Sequence, residues 1–239
     1  MRFYKRYTEE LTVKCKRDMI LVRIVNDSMI NKRIIMDNKE EIVLVCSQCG
    51  RKEEYSIVHR IEPVQKEKVK DMSIFQWKCP QCGKVQKLVY PCFYVDKDKK
   101  IIVLLQGQGV ETMLDESDWK LDGYTKRICR TIEEFSEKIR VLDLRLQDKI
   151  IEILKLLLFA QIHLKEPELT DIFFYQIAED GSFEFTIRKG DRPDGIAVSG
   201  KIYEELCETI PEYIDEEEIG FCCIDLDWAG SQIVKDRIQ

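Results

Sequence analysis

Two short cysteine motifs are the part of this 239-residue sequence whose residue types and spacing best fit a chemical task. Cys46 and Cys49 form the first, Cys79 and Cys82 form the second, and each pair is followed directly by glycine. Two residues between cysteines let both sulfurs of a tight turn meet one ion. The pattern predicts one tetrahedral four-thiolate metal site. We expect its role to be structural, because four protein ligands leave no position for water or substrate.

Zinc is the expected metal, and iron in a four-cysteine site is the chemical rival, since thiolates alone do not distinguish the two. A redox-active Cys-x-x-Cys pair is disfavoured, because two pairs closed by Gly50 and Gly83 fit one shared metal better. His59 lies between the motifs and is an alternative ligand. With four cysteines present, we expect it to be a surface or hydrogen-bonded histidine instead.

The remaining cysteines have no metal-binding spacing, and we expect them to be small buried apolar residues. They are Cys15, Cys92, Cys129, Cys207, Cys222 and Cys223.

A second candidate site lies near the C-terminus at Asp225, Asp227 and Trp228. Two carboxylates two residues apart on a strand point the same way and can share a proton or a metal. We favour the alternative in which Asp227 caps a helix and Trp228 fills the core. No nucleophile with a base partner, phosphate loop or nucleotide fingerprint accompanies them, so an enzyme remains an alternative hypothesis.

Charge is distributed unevenly along the chain. Residues 1–100 contain 22 Lys and Arg against 14 Asp and Glu, a net charge of +8, whereas residues 101–239 have a net charge of −14. Such asymmetry can indicate a basic half that binds nucleic acid. The interpretation we favour is that two parts of one protein attract each other, because no stretch has the charge density of a nucleic-acid-binding arm.

The sequence also suggests a compartment. The N-terminus has no uninterrupted apolar leader, and the longest apolar stretch, 150–164, is too short to span a bilayer and contains Glu152 and Lys155. We therefore expect a cytoplasmic protein with no membrane partner. Paired cysteines in the cytosol more often bind metal than form disulfides.

Strands are expected to position the cysteine motifs. Residues 42–45 form a β-branched run that leads into Cys46, and residues 74–78 alternate apolar and polar before Cys79. Between the motifs, 50–72 is expected to form a hairpin or an extended connection. Further strand-like runs are expected at 11–15, 19–25, 85–95 and 101–105.

The second half alternates helical and strand patterns. Thr131 and Glu134 form a capping-box signature for a helix to about 142, followed by a longer and more buried helix at 146–165. Glu179-Asp180-Gly181 marks a hairpin between strands. The remaining expected elements are strands 172–178, 182–188, 196–198 and 220–226, a helix from Ser199 or Gly200 to about 210, and a last helix capped by Asp227 that runs through Val234.

These elements predict an α+β protein with an N-terminal β-rich zinc ribbon and a C-terminal helical and mixed α+β region. We divide it into an N-terminal extension at 1–35, a zinc-ribbon module at 36–110 and an α+β domain at 123–239. The hinge is expected at Gly107, Gly109 and the acidic run 115–122.

From Met36 to its end, the chain resembles the CpXC family, bacterial proteins named for their Cys-Pro-x-Cys-type motifs. Ser47 stands where the name implies proline, and Cys92 and Val95 are unusual at their positions. The resemblance implies a four-cysteine module followed by a helical and mixed region, and it implies no particular function. The residues that carry it are Cys46-Ser-Gln-Cys49-Gly50, Ile74-Phe-Gln-Trp-Lys-Cys79-Pro-Gln-Cys82-Gly83, Phe93-Tyr-Val-Asp96, Arg127-Ile-Cys-Arg130, Glu137-Lys-Ile139, Leu146-Gln-Asp148-Lys-Ile-Ile-Glu152-Ile-Leu-Lys155 and Phe221-Cys-Cys-Ile-Asp225-Leu-Asp-Trp228-Ala229.

Residues 1–35 lie outside this resemblance. The codons of Lys32-Arg33-Ile34 can contain a ribosome-binding-like AAGGA just upstream of Met36. We hypothesise that the natural start is Met36 and that the extension is not native.

Three functions follow as hypotheses. The leading one is a structural zinc-binding protein that acts as a protein-interaction or adaptor module, with exposed aromatic or basic residues of 51–78 as its contact surface. The first alternative is a nucleic-acid-binding zinc ribbon. The second is an enzyme with a carboxylate site near Asp225 and Asp227.

Overall fold

A computed structural model describes residues 12–16, 19–23, 39–106, 121–190, 192–210 and 220–236, and within these ranges it describes the side chains of residues 39–232. The predicted hinge at Gly107 and Gly109, with most of the acidic run, lies outside these ranges.

The strands and helices are numbered here along the chain. The strands are β1 Thr12–Lys16, β2 Met19–Arg23, β3 Lys39–Val45, β4 Lys52–Val58, β5 Arg60–Ile61, β6 Gln76–Lys78, β7 Val85–Val89, β8 Cys92–Asp96, β9 Ile101–Leu105, β10 Thr125–Cys129, β11 Leu169–Ile177, β12 Phe183–Lys189 and β13 Arg192–Val198. The α-helices are α1 Lys66–Lys70, α2 Ile132–Asp143, α3 Asp148–His163, α4 Gly200–Thr209 and α5 Leu226–Asp236.

The strands form four sheets. Their orders are β1-β2-β7-β6, β3-β4, β10-β9-β8-β5 and β11-β12-β13. The pairs β2–β7, β9–β10 and β5–β8 are parallel, and the other pairs are antiparallel. The predicted α+β class is confirmed, and the four cysteines lie in the N-terminal β region.

Strand β3 shows why the run before Cys46 is extended. Its side chains alternate, so that Ile42 and Leu44 are buried while Val43 and Val45 are exposed. This period of two is the pattern of a strand with one face on the core. β3 pairs with β4 in a hairpin whose turn is the first cysteine motif, so only one strand of this hairpin lies in the 50–72 connection.

The rest of that connection differs from the predicted extended chain. It contains a 3-10 turn at Pro63–Gln65, helix α1 and a second 3-10 turn at Ser73–Phe75. These elements are three to five residues long, too short to give a helical period in the sequence.

The main hydrophobic core joins the two halves of the chain. It contains Phe75 and Trp77 from the cysteine region together with Phe135 and Ile139 from α2. The rings of Phe75 and Phe135 meet edge to face with centroids 5.9 Å apart. Helix α2 therefore completes the core of the cysteine region. The division at 110 and 123 remains a prediction.

A second core lies in the C-terminal half. Phe174, Phe183 and Phe185 of the β11-β12-β13 sheet pack with Ile151 and Leu154 of α3. The helix was expected to be the most buried, but only its first two turns, up to Lys155, are continuously buried. Its second half is only partly buried: Leu158 and Phe159 still pack against this core, whereas Leu157 is 41% exposed and Leu164, just after the helix, is 86% exposed.

The predicted final strand at 220–226 is wrong. Cys222 makes a single parallel bridge to Arg127, and α5 begins at Leu226. Its apolar Phe221 packs instead on the sheet, against Phe93 of β8, with ring centroids 6.2 Å apart.

Candidate metal centre

The four predicted cysteines come together at the ends of their strands. Their sulfurs all lie within 4.8 Å of one another. The Sγ atoms of Cys46 and Cys82 are 3.5 Å apart, and those of Cys49 and Cys79 are 3.7 Å apart. A metal bonded to four thiolates at about 2.3 Å places neighbouring sulfurs about 3.8 Å apart. The cluster therefore has the dimensions to hold one metal ion, and its S–S distances are too long for disulfide bonds.

Each cysteine pair is built by the same tight turn. Gly50 donates its N–H to the carbonyl of Cys46 at 3.0 Å, and Gly83 donates to Cys79 at 2.9 Å. Both glycines have left-handed backbone angles, with φ of 71° and 73°. A residue with a Cβ is strained in this conformation, which explains why glycine follows both pairs.

Backbone N–H groups point at the sulfurs inside these turns. The Cys46 sulfur accepts from the N–H groups of Cys49 and Gln48, and the Cys82 sulfur accepts from Lys84. These donors stabilise thiolate charge, which is the form that binds a metal.

Four thiolates this close together repel one another unless a cation lies between them. Burial opposes ionisation of Cys46, but the N–H donors of Cys49 and Gln48 and the other thiols lower its pKa to about 6. At Cys82 the N–H of Lys84 favours the thiolate, yet burial and the neighbouring sulfurs raise its pKa to about 12. A bound cation removes this conflict, so metal binding is expected to release protons.

The two turns are tied to each other and half-buried. Cys46 and Cys79 are buried, whereas Cys49 and Cys82 are exposed. The buried amide of Gln86 on β7 accepts the N–H of Ser47 at 3.0 Å, which links the first turn to the strand after the second. Two strand ends and the hydrogen bond between Ser47 and Gln86 therefore position the cluster.

His59 is a hydrogen-bonded core residue, as expected. Its Nδ1 lies 2.8 Å from the carbonyl of Pro91, and its Nε2 lies 2.9 Å from Glu40 Oε2. Both ring nitrogens are engaged, so neither is available to the sulfur cluster.

The other described cysteines follow the prediction in part. Cys92 and Cys129 are buried, and burial raises the pKa of both thiols. Cys207, Cys222 and Cys223 are only half-buried. The side chain of Cys15 lies outside the described residues.

The second candidate site has a different geometry from the expected pair on a strand. Asp225 caps α5, because its Oδ1 accepts the N–H of Trp228 at 2.8 Å. Asp227 lies inside the first turn of α5, so it is not the cap. Trp228 is half-buried and packs against Ile153 and Ala229. Both carboxylates nonetheless line one cavity.

The cavity adjoins a group of charged residues that sequence reasoning missed, and we call this group the buried ion network. Its members alternate in sign from strand β10 through α3 and α2: Arg127, Asp148, Lys138, Glu152, Lys155 and Glu137.

The contacts in this network are short. Asp148 accepts from Arg127 Nε at 2.6 Å, and Lys155 Nζ lies 2.7 Å from Glu137 and 2.8 Å from Glu152. Lys138 Nζ also donates to the carbonyl of Ile224 at 2.8 Å. The sequence signal was the i, i+4, i+7 spacing of Asp148, Glu152 and Lys155 on one face of α3. Such a face is more often solvated.

Fold and site together define an α+β protein with a four-cysteine cluster able to hold a metal ion. The family model described as CpXC protein matches residues 44–155, so this part of the chain is similar to the CpXC family. The match includes all four cysteines and every member of the buried ion network. The resemblance outside 44–155 stays a prediction. No curated protein and no solved structure matches the chain. None of the helices in the described ranges has both the length and the apolar character needed to cross a membrane.

Proposed function

We propose that Cys46, Cys49, Cys79 and Cys82 bind one structural zinc ion, and that the region around it is a protein-interaction or adaptor module. The observation that carries the metal assignment is the cluster of four sulfurs within 4.8 Å, each pair presented by a glycine-closed turn. An all-sulfur tetrahedral set is typical of closed structural zinc sites.

Metal analysis of the purified chain tests this assignment. We expect about one zinc per chain, and replacing Cys79 by Ser should remove it, because three thiolates bind much more weakly. Cys207→Ser is the matched control, since this half-buried thiol lies outside the cluster and should leave the metal content unchanged. Visible charge-transfer absorption with a full iron load would favour iron instead, and full zinc in Cys79→Ser would overturn the ligand set.

Exposed apolar side chains beside the cluster support the interaction role. Val43 and Val45 lie on β3 directly before the first turn and are 51% and 42% exposed; Val85, two residues after Gly83, is 47% exposed. Apolar side chains on a rigid platform are typical of a partner contact. Among the aromatic residues of 51–78, Phe75 and Trp77 are buried and Tyr55 is half-buried, so the proposed contact surface is apolar and not aromatic.

Affinity capture from native-cell lysate tests the adaptor hypothesis. The triple variant Val43→Ser, Val45→Ser, Val85→Ser should lose a specifically captured protein. The matched control replaces three exposed apolar residues elsewhere, Val64, Leu144 and Leu164, by Ser and should retain it. Equal capture by both triple variants would contradict this surface.

A second candidate function is nucleic-acid binding. The observation in its favour is the set of exposed basic residues flanking both turns, Arg51, Lys52 and Lys78. This hypothesis predicts retention on DNA or RNA that falls steeply with salt. No retention at low salt would exclude it, and retention lost in a variant with all three residues changed to Gln would favour it over the adaptor.

A further inference from the structure

The sulfur cluster places each exposed cysteine beside a buried cysteine of the other motif. Cys82 is exposed, and its Sγ lies 3.5 Å from that of the buried Cys46. Cys49 is exposed, and its Sγ lies 3.7 Å from that of the buried Cys79. A structural metal site needs only that four sulfurs converge, so this pairing of exposed with buried thiols is a separate property of the cluster.

Such pairs have the arrangement of an oxidation-sensitive dithiol. Oxidants react with exposed thiolates first, and the sulfenic acid that forms condenses with a neighbouring thiol. Thiolate is the form in which cysteine binds a metal, and the backbone N–H groups of Arg51 and Lys84 donate to Cys49 and Cys82, the two exposed sulfurs. Each buried sulfur needs to approach its exposed partner by about 1.5 Å to reach the length of a disulfide bond.

We infer that the cluster is a redox switch in which hydrogen peroxide exchanges a bound metal for two disulfides, Cys46–Cys82 and Cys49–Cys79. The loss of metal in this exchange rests on the proposed metal site, whereas the pattern of disulfides rests on the sulfur positions alone.

Each disulfide forms in two balanced steps. The exposed thiolate attacks peroxide, so that an S–O bond forms, the O–O bond breaks and hydroxide leaves. The buried thiolate then attacks the sulfenic sulfur, so that the S–S bond forms, the S–O bond breaks and a second hydroxide leaves. The two sulfurs together lose two electrons, and one peroxide is reduced to two waters with two protons from solvent. After two peroxides the cluster has no thiolate left to hold a metal.

The predicted bridges differ from those of a redox-active Cys-x-x-Cys pair, which closes within one motif. A bridge between the motifs joins the two turns, as a shared metal does, and it spans 36 or 30 residues of the chain. It also leaves in place the turn hydrogen bonds that Gly50 and Gly83 donate. The oxidised module is therefore expected to keep its two strand ends together without a metal.

Peroxide titration of the full chain tests the inference, with disulfides mapped by mass spectrometry and zinc release followed with a colorimetric chelator. Trypsin leaves the first motif in the peptide 40–51 and the second in the peptide 79–84, with no cleavage site inside either motif. Bridges between the motifs join these two peptides, whereas bridges within a motif leave them separate. We expect joined peptides, together with about one zinc released per chain.

Partial oxidation separates the two possible pairings between the motifs. The remaining thiols are blocked with N-ethylmaleimide once one bridge has formed. The label should lie on Cys49 and Cys79 together or on Cys46 and Cys82 together, because these are the pairs in contact. Dithiothreitol followed by zinc should restore the thiols and the metal content.

The matched control is the triple variant Cys207→Ser, Cys222→Ser, Cys223→Ser, which removes half-buried thiols outside the cluster. It should form the same bridges and release zinc at about the same rate. The inference is overturned by bridges within the motifs, by bridges to a cysteine outside the cluster, or by sulfonic acid at Cys49 and Cys82 without a bridge. A chain that is purified without metal yet forms both bridges would contradict the proposed zinc site and support the sulfur pairing, whereas a zinc-loaded chain that forms neither bridge would do the reverse.

Discussion

Lys155 shows what the buried ion network demands of single residues. It is 4% exposed and neutralises two carboxylates, Glu137 and Glu152, which are each 3% exposed. Removing one charge from such a group leaves its partners buried and unpaired, which destabilises far more than the loss of a surface pair. The network therefore makes the α2–α3 interface intolerant of single substitutions.

Replacing Lys155 by Met should lower the free energy of unfolding by about 3–5 kcal/mol, because Glu137 loses the cation that pairs with it and Glu152 is left with Lys138 alone. Urea denaturation measures this. The control is Lys87→Met: Lys87 is 50% exposed and pairs with Glu133 at 2.7 Å. It should lose less than about 1 kcal/mol.

Adding Glu137→Gln to Lys155→Met should recover part of the loss, because it removes one of the stranded charges. An equally small effect of Lys155→Met and Lys87→Met would show that the network is not desolvated.

For single residues, the sequence predicted that the four cysteines come together, but it did not predict that the charged residues of the buried ion network are buried. Cys-x-x-Cys-Gly is a local pattern whose chemistry is fixed by its own spacing, so Cys46 and Cys82 could be assigned without a fold. Glu152 and Lys155 look like any solvated helix face until the strand and helix that cover them are known. Their pairing depends on Lys138 and Glu137 of α2, which is a separate element.

Helix α2 has capping hydrogen bonds at both of its ends. Thr131 accepts the N–H of Glu134 at 3.1 Å, and Glu134 reaches back to the N–H of Thr131, which completes a capping box. At the other end Leu146 donates to Val141 at 3.1 Å, the six-to-one bond of a Schellman motif. Arg145 occupies the left-handed position with φ of 56°.

Replacing Arg145 by Gly should stabilise the protein by about 1 kcal/mol, because glycine adopts this conformation without strain. Thermal and urea unfolding measure the change. Arg145→Ala is the control, since it removes the same side chain but keeps the Cβ, and it should not stabilise. Equal stabilisation by both substitutions would assign the effect to the arginine side chain rather than to the backbone.

Elements could be predicted where their boundaries are marked by local chemistry. Thr131 and Glu134 marked the start of α2, and Ser199 marked α4, where its hydroxyl accepts the N–H of Lys201. The prediction of a strand at 220–226 was wrong, because an apolar run in the sequence does not show whether a neighbouring strand has an unpaired edge. Cys222 makes only one bridge to β10, and Asp225 then starts a helix. The parallel pairing of β2 with β7 had no local signal either.

At the scale of the whole molecule, the buried carboxylates set how stability depends on pH. Burial raises the pKa of Glu137 to about 7, and nearby Glu152 reinforces the shift against Lys155. Burial also opposes ionisation of Asp148, but Lys138 and Arg127 hold its pKa well below the usual range. The two groups therefore act in opposite directions.

We expect maximal stability near pH 4, where the contributions of both groups are present, because unfolded carboxyl pKa values lie near 4. The contribution of Glu137 is present below its unfolded pKa and is lost as pH rises through about 7. That of Asp148 is present above about pH 4 and is lost in acid. Urea unfolding at a series of pH values measures the profile. Glu137→Gln should flatten the decline from pH 5 to 7 and keep the acid loss; an unchanged decline would contradict the role of Glu137.

The shared core has a consequence for how the chain folds as it is synthesised. Phe75 packs on Phe135, so the cysteine region cannot close its interior until α2 has left the ribosome. At about 5–20 residues per second, the stretch between β9 and the end of α2 takes a few seconds to emerge. During that interval both cysteine pairs, which precede β9 in the sequence, have already been synthesised. A metal captured then would hold the nascent N-terminal part in its native register while it waits for the helix.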